Sequence, residues 1–209
     1  MTEAEWLKAL EQRHGAELQQ KFSMTSAAVC GLGGLGSNVA ISLARAGLGT
    51  LLLIDFDRVD VSNLHRQQYK ATQIGKCKAE SLASNLREIS PYTEVEAVIE
   101  KITEENFAVL LKGADIICEA FDSAEAKAML VNGVLEQLPH SYLVAASGMA
   151  GMGSPNTIKT RRITKRFYLC GDEVSEVADT IGLVAPRVML CAAHQAHTVL
   201  RILAGEYEV

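Results

Sequence analysis

The feature that most constrains this chain is Gly31-Leu32-Gly33-Gly34-Leu35-Gly36, which follows the apolar run Ala27-Ala28-Val29-Cys30 and precedes a helix-like stretch from Asn38 to Ala46. Gly31, Gly33 and Gly36 satisfy G-x-G-x-x-G. Such a turn needs glycine because it adopts positive φ and because backbone must approach a phosphate with no Cβ in the way. The helix after it then aims its N–H groups and its dipole at the anion. Alone, the pattern also suits a purely structural turn. Its setting narrows the reading: a second apolar run, Thr50 to Ile54, ends in Asp55, about 20 residues on, placed to accept hydrogen bonds from ribose hydroxyls. A strand, a glycine turn, a helix and an acid-tipped strand predict a nucleotide site on a parallel sheet.

The rest of the chain repeats that alternation. Glu3 to about Phe22 reads as one amphipathic helix with Trp6, Leu7, Leu10 and Leu18 near one face. Helices are expected over Lys78 to Ile89, Glu104 to Leu111 and Ser123 to Leu138, with strands over Val95 to Ile99, Asp115 to Ala120 and Tyr142 to Ala146. Repeated strand–helix units need right-handed crossovers and give a parallel sheet covered on both faces. After Gly148, Asn156 to Leu169 reads as an antiparallel excursion and Leu183 to Leu203 as a long apolar helix. The expected fold is therefore α/β and Rossmann-like, a mostly parallel sheet with helices on both faces and an antiparallel C-terminal extension. It is read as one domain, 1–209: an N-terminal helix (1–24), a nucleotide-binding core (25–148), and the extension with the final helix (149–209).

A net charge of −5 argues against nucleic acid as the main partner, since phosphate backbones attract basic faces. No run approaches the roughly 20 apolar residues of a membrane span. The opening MTEAEWLKALEQRHG has no apolar secretory core, so a cytoplasmic enzyme is expected. None of the five cysteines forms a C-x-x-C pair. Cys30 and Cys118 sit in apolar runs and read as core. Cys77, between Lys76 and Lys78, reads either as a reactive thiol or as a tolerated loop residue.

Up to Asp55 an NAD-dependent dehydrogenase and an ATP-using enzyme fit equally. The residues beyond it separate the two. Asp55-Phe56-Asp57 leads to Asn63-Leu64-His65-Arg66-Gln67, and Gly75-Lys76-Cys77-Lys78 opens the next helix. A dinucleotide needs little positive charge beyond its glycine turn, whereas triphosphate chemistry needs several cations, which Arg66 and Lys78 are placed to supply.

These motifs, G-L-G-G-L-G-S-N, D-F-D, N-L-H-R-Q, G-x-x-K and the later Asp122, stand in the order found in the ThiF/MoeB/HesA family, which is related to the ubiquitin-activating enzymes. The chain resembles that family from Arg13 to the Gly182-Leu183-Val184-Ala185-Pro186 segment and the helix after it. The resemblance implies adenylation of a ubiquitin-like sulfur carrier: the carboxylate of its C-terminal Gly-Gly attacks the α-phosphate of ATP and releases pyrophosphate. It implies that Asp55 holds the ribose, that Asn63, Arg66 and Lys78 hold phosphates, that Asp122 coordinates Mg²⁺, and that Arg13 reaches into the partner's site of a homodimer. The expected nucleotide-binding set is Gly31, Gly33, Gly34, Gly36, Asp55, Asp57, Asn63, Arg66, Gln67 and Lys78, with Arg13, Arg66, Lys78 and Asp122 catalytic. Asp122 also suits a helix N-cap before Ser123.

The chain departs from the family in places. Longer members carry two C-x-x-C pairs for zinc; here Tyr168-Leu169-Cys170-Gly171-Asp172-Glu173 keeps one cysteine, so no structural zinc is expected. Whether Cys77, Cys170 or Cys191 moves sulfur is left open. The family's T-D-N is Phe121-Asp122-Ser123. The pattern resembles the ThiF-like branch serving thiamine synthesis. His194 and His197 share a helix face but find no third metal ligand. Lys159, Arg161, Arg162, Lys165 and Arg166 form a stripe that suits either an acidic carrier surface or the wet side of edge strands. An NAD(P)-dependent oxidoreductase, a non-catalytic nucleotide-binding homologue and adenylation of another carboxylate (a small molecule, a peptide end or a modified tRNA base) remain the alternatives.

Overall fold

The computed structural model describes residues 1–177 and 181–209. Its first 23 residues form two helices, α1 (Glu3–His14) and α2 (Ala16–Ser23), where a single one is expected. Gly15, at φ +82°, makes the break: its N–H closes α1 on the Glu11 carbonyl, and the chain then turns. The redirected α2 buries Gln19 and Phe22, and Gln19 Nε2 donates to the carbonyl of Gly47 at 3.1 Å, stapling the N-terminal helices to the core. Thr2 and Glu5 form a reciprocal capping box at the start of α1.

Thereafter the expected alternation is observed: β1 (Ser26–Cys30), α3 (Gly34–Arg45), β2 (Thr50–Ile54), α4 (Lys78–Ile89), β3 (Glu94–Val98), α5 (Phe107–Leu110), β4 (Ile116–Glu119), α6 (Ala124–Gln137), β5 (Tyr142–Ala146), β6 (Lys159–Arg162), β7 (Phe167–Gly171) and α7 (Ala185–Ala204). Two helices differ from expectation. α3 starts inside the glycine cluster rather than at Asn38. α5 is a single turn rather than Glu104–Leu111, because Asn106 Oδ1 accepts from Thr103 N and holds the preceding residues in a turn.

The strands form one sheet in the order β3-β2-β1-β4-β5-β7-β6. β3 to β5 are parallel, and β7 joins β5 in parallel register, Leu143 opposite Phe167. Among the strands of the described residues, only the edge strand β6 runs antiparallel, against β7. The central strands are almost wholly buried, which is why their sequences read as continuous apolar runs. Val39 and Leu43 of α3, Leu82 and Leu86 of α4 and Val199 of α7 pack on one face of the sheet, and Phe107, Leu130 and Val134 from α5 and α6 on the other. The chain builds outward from β1 to β3, then returns to place β4 on the other side of β1. That reversal opens a crevice beyond the carboxyl ends of β1 and β4, where ligands of open α/β sheets bind. Among the described residues no helix is long and apolar enough to cross a membrane.

Candidate nucleotide-binding cleft

A cleft of about 1170 Å³ opens at that switch point, walled by the glycine turn, the ends of β2, β4 and β5, and the start of α7. Gly31 has φ +87°, and a Cβ there would stand 2.9 Å from the carbonyl oxygen of Ala120. Gly33 and Gly34 line the cleft where α3 begins, and a Cβ on Gly34 would press on Arg66 and Val188 at 3.1 Å. Gly36 does not line it. A Cβ at Gly36 would fall 1.9 Å from the Gly31 oxygen, so this glycine lets the helix close onto its own turn and does not face a ligand.

Asp55 leaves the end of β2 and holds the turn from beneath. Its carboxylate accepts from Leu32 N at 2.6 Å and from Asp57 N at 2.7 Å. Burial pushes its pKa above the ordinary carboxylate range, and those two N–H groups and the Lys78 ammonium pull it back. Each oxygen keeps a lone pair for an incoming hydroxyl. Lys78, at the first position of α4, lays its ammonium 2.8 Å from the Asp57 carboxylate, while its backbone N–H donates to the Asp57 carbonyl. A short 3-10 turn, Val61–Asn63, capped by Asp60, delivers Asn63, Arg66 and Gln67 to the same wall. Arg66 donates to the Ser62 carbonyl at 3.1 Å. Arg66 Nε and Gln67 Oε1 are buried with no hydrogen-bond partner among the described residues. Buried polar atoms without a partner call for one, which in a cleft can be water, an ion or a ligand.

The opposite wall is the turn from β4 into α6. The helix cap is Ser123, whose Oγ accepts from Ala126 N, so the Asp122 carboxylate is left exposed on the cleft. Beneath it lies a pair not anticipated from sequence. Glu119, 1% exposed, receives the Lys127 ammonium on both oxygens, at 3.0 and 3.1 Å, and also accepts from Phe121 N at 2.7 Å. An acid inside the strand run Asp115 to Ala120 was the available signal, since a buried carboxylate needs a partner. No cluster of three or more His, Cys, Asp or Glu side chains suited to a metal occurs among the described residues. One free carboxylate is nonetheless enough for Mg²⁺, which is commonly bound through one or two carboxylates together with substrate phosphates and water.

The profile of the ThiF family matches residues 8–209. The chain belongs to the ThiF family. It is 31% identical over 199 residues to the sulfur carrier protein ThiS adenylyltransferase of Bacillus subtilis, covering 92% of this chain and 58% of that protein. It is 32% identical over 179 residues to the molybdopterin-synthase adenylyltransferase of Haemophilus influenzae, covering 79% and 72%. In fold it resembles the Escherichia coli tRNA N6-threonylcarbamoyladenosine dehydratase TcdA, solved in complex with ATP (TM-score 0.87, 24% identity, 98% of this chain and 97% of that one). The chain spans only 42% and 58% of the length of two of the relatives it matches.

Of the residues that the ThiF resemblance singles out, all but Gly36 and Arg13 line the cleft. Arg13 is exposed in the last turn of α1. Two of the three cysteines in question are buried: burial first pushes the Cys170 thiol up to about 11 and the Cys191 thiol up to about 12, so both are protonated at neutral pH. Cys77 is half-buried beside a separate hollow lined by Arg58 and Lys76. The basic stripe is largely satisfied within the chain. Arg161 pairs with Glu173, Arg162 with Glu208 at 2.7 Å, and Arg166 donates to the His140 carbonyl and covers the Tyr142 ring. His194 Nδ1 lies 3.0 Å from Thr160 Oγ, a packing contact between α7 and β6. Arg187, also not anticipated, is buried and fastens Ala150, Gly153, Ser154, Thr157 and Asp172, fixing the loop whose Met149 and Ala150 close the cleft.

Proposed function

We propose that this ThiF-family chain is an ATP-dependent adenylyltransferase that activates the C-terminal carboxylate of a Gly-Gly-ending ubiquitin-like sulfur carrier, of the kind that serves thiamine thiazole synthesis. The observation that carries the reading is the cleft's charge plan: a glycine turn braced by Asp55, two cations (Arg66 and Lys78) on one wall, and the free carboxylate of Asp122 on the other. A carboxylate nucleophile is already ionised at neutral pH, so no strong general base is needed. The barrier lies in bringing two anions together, and positioned cations lower it. The carrier's carboxylate oxygen forms the new bond to the α-phosphorus, the bond to the bridging oxygen breaks, and pyrophosphate leaves. Arg66 and Lys78 would hold the phosphates, Asp55 the ribose, and Gln67 Oε1 would gain the donor it lacks. Mg²⁺ held at Asp122 would neutralise charge on the phosphates.

Arg13 takes no part in its own chain's cleft, and we read it as reaching the site of a second copy in a homodimer. The protein would then work in the cytoplasm. A second reading, adenylation of a modified tRNA base, draws on the fold shared with TcdA. The internal pairing of Arg161, Arg162 and Arg166 favours a protein carboxylate over a phosphate backbone. ATP–pyrophosphate exchange against a panel of Gly-Gly-ending carriers tests the proposal. Exchange is expected only with both Mg²⁺ and one carrier. ATP binding with no exchange for any carrier would favour a non-catalytic homologue, and NADH binding in place of ATP would favour the oxidoreductase.

A further inference from the structure

Burying the Glu119 carboxylate against the half-buried Lys127 costs desolvation that an apolar strand end would avoid, so the pair calls for a role. Its geometry points at the turn Ala120–Ser123. Glu119 Oε1 fixes that turn by accepting from Phe121 N, and the Lys127 ammonium spends a further donor on the Ala146 carbonyl at 2.9 Å, tying the end of β4 to the end of β5. From α7, Gln195 Nε2 donates to the carbonyls of Glu119 and Val144, at 2.9 and 3.0 Å, and locks the same two strands from behind. Ser123 fixes the far side of the turn as the cap of α6. Asp122 presents its carboxylate from this turn to the cleft, with Glu125, held by Ser123, and Lys127 lining the cleft beside it.

We propose that Glu119 and Lys127 are positioning residues that aim the Asp122 carboxylate at a divalent cation bound with the nucleotide, an inference that rests on the adenylation reading. Glu119 is buried behind the turn, and the Lys127 ammonium is spent on Glu119 and the Ala146 carbonyl. Their loss should therefore weaken the cation and leave the nucleotide's own affinity nearly unchanged.

The test is Mn²⁺ uptake by the ATP-bound full chain, followed by the electron paramagnetic resonance of free Mn²⁺, alongside ATP affinity in the presence of a chelator. Lys127→Met and Glu119→Gln should each weaken Mn²⁺ about 10–100-fold, the usual effect of removing a residue that orients a metal ligand, with chelated-ATP affinity changed less than about threefold. Lys127→Arg should recover much of the loss. Adding Lys127→Met to Asp122→Asn should weaken Mn²⁺ no further than Asp122→Asn alone. Should Glu119→Gln fail to fold, the Lys127→Met and Lys127→Arg pair decides. Wild-type Mn²⁺ affinity in a folded Lys127→Met, or an equal fall in chelated-ATP affinity, would overturn the positioning role while Asp122 kept its place. Wild-type Mn²⁺ affinity in Asp122→Asn would overturn the metal site itself, and this proposal with it.

Discussion

Lys78 and Arg66 line one wall of the cleft, where the adenylation reading lays the triphosphate. Among the described residues, buried Lys78 pairs its ammonium with Asp57, and Arg66 Nε has no hydrogen-bond partner. Replacing either with Ala should cut ATP–pyrophosphate exchange by about 10²–10³-fold, the scale of losing one preorganised charge contact. Unchanged exchange in both would remove them from the site. Gly36 makes the opposite kind of prediction. Gly36→Ala places a methyl 1.9 Å from the Gly31 oxygen, so the turn must open. The expected result is loss of the ATP-induced rise in melting temperature, with a lower melting temperature even without nucleotide; a normal ATP-induced rise would contradict the packing role. Gly36 and Gly31 are indistinguishable as letters of the motif. Only the path of the helix shows that Gly31 lines the cleft and Gly36 packs on its own turn.

Among the elements, α7 joins the most distant parts of the chain: Arg187 reaches the loop after β5, Gln195 the ends of β4 and β5, and His194 the edge strand β6. Burial first, and then the neighbouring His197, lower the His194 pKa. The fold therefore favours neutral imidazole. The resulting stability is present above the ordinary histidine value of about 6.5 and is lost as pH falls through the lowered folded-state value. The melting temperature should fall between about pH 7 and pH 5 less steeply in His194→Gln than in the wild type. Identical slopes would show that His194 does not sense pH. The periodicity of α7 was readable, with its long apolar stripe. The tasks of its polar residues were not, because each partner lies on a different strand or loop. A different reason hid the break at Gly15: the apolar pattern runs on there, and only a positive φ interrupts it.

At the scale of the whole molecule, the proposed dimer has a consequence that no single chain shows. If Arg13 acts in the partner's cleft, Arg13→Ala and Lys78→Ala damage sites in opposite halves. Mixing the two inactive variants should restore about a quarter of the wild-type exchange, through hybrid dimers with one intact site. No recovery after demonstrated subunit exchange would place Arg13 outside the reaction. Sedimentation of the wild type provides the companion measurement of mass.

Local regularities carried much of the fold. Apolar runs of strand length, the glycine turn and the acid at the tip of β2 announce a parallel sheet with a nucleotide crevice, because each is a property of residues adjacent in the chain. Motif order carried Asp55, Arg66, Lys78 and Asp122 into one list, and the sheet's reversal between β1 and β4 brings them to one cleft. What only tertiary structure decided are pairings between separate elements: Glu119 with Lys127, Gln195 with two strand ends, Arg187 with its loop, and Arg161 and Arg162 with Glu173 and Glu208. A buried charge written in sequence asks for a partner. Which residue answers depends on where the strands are laid.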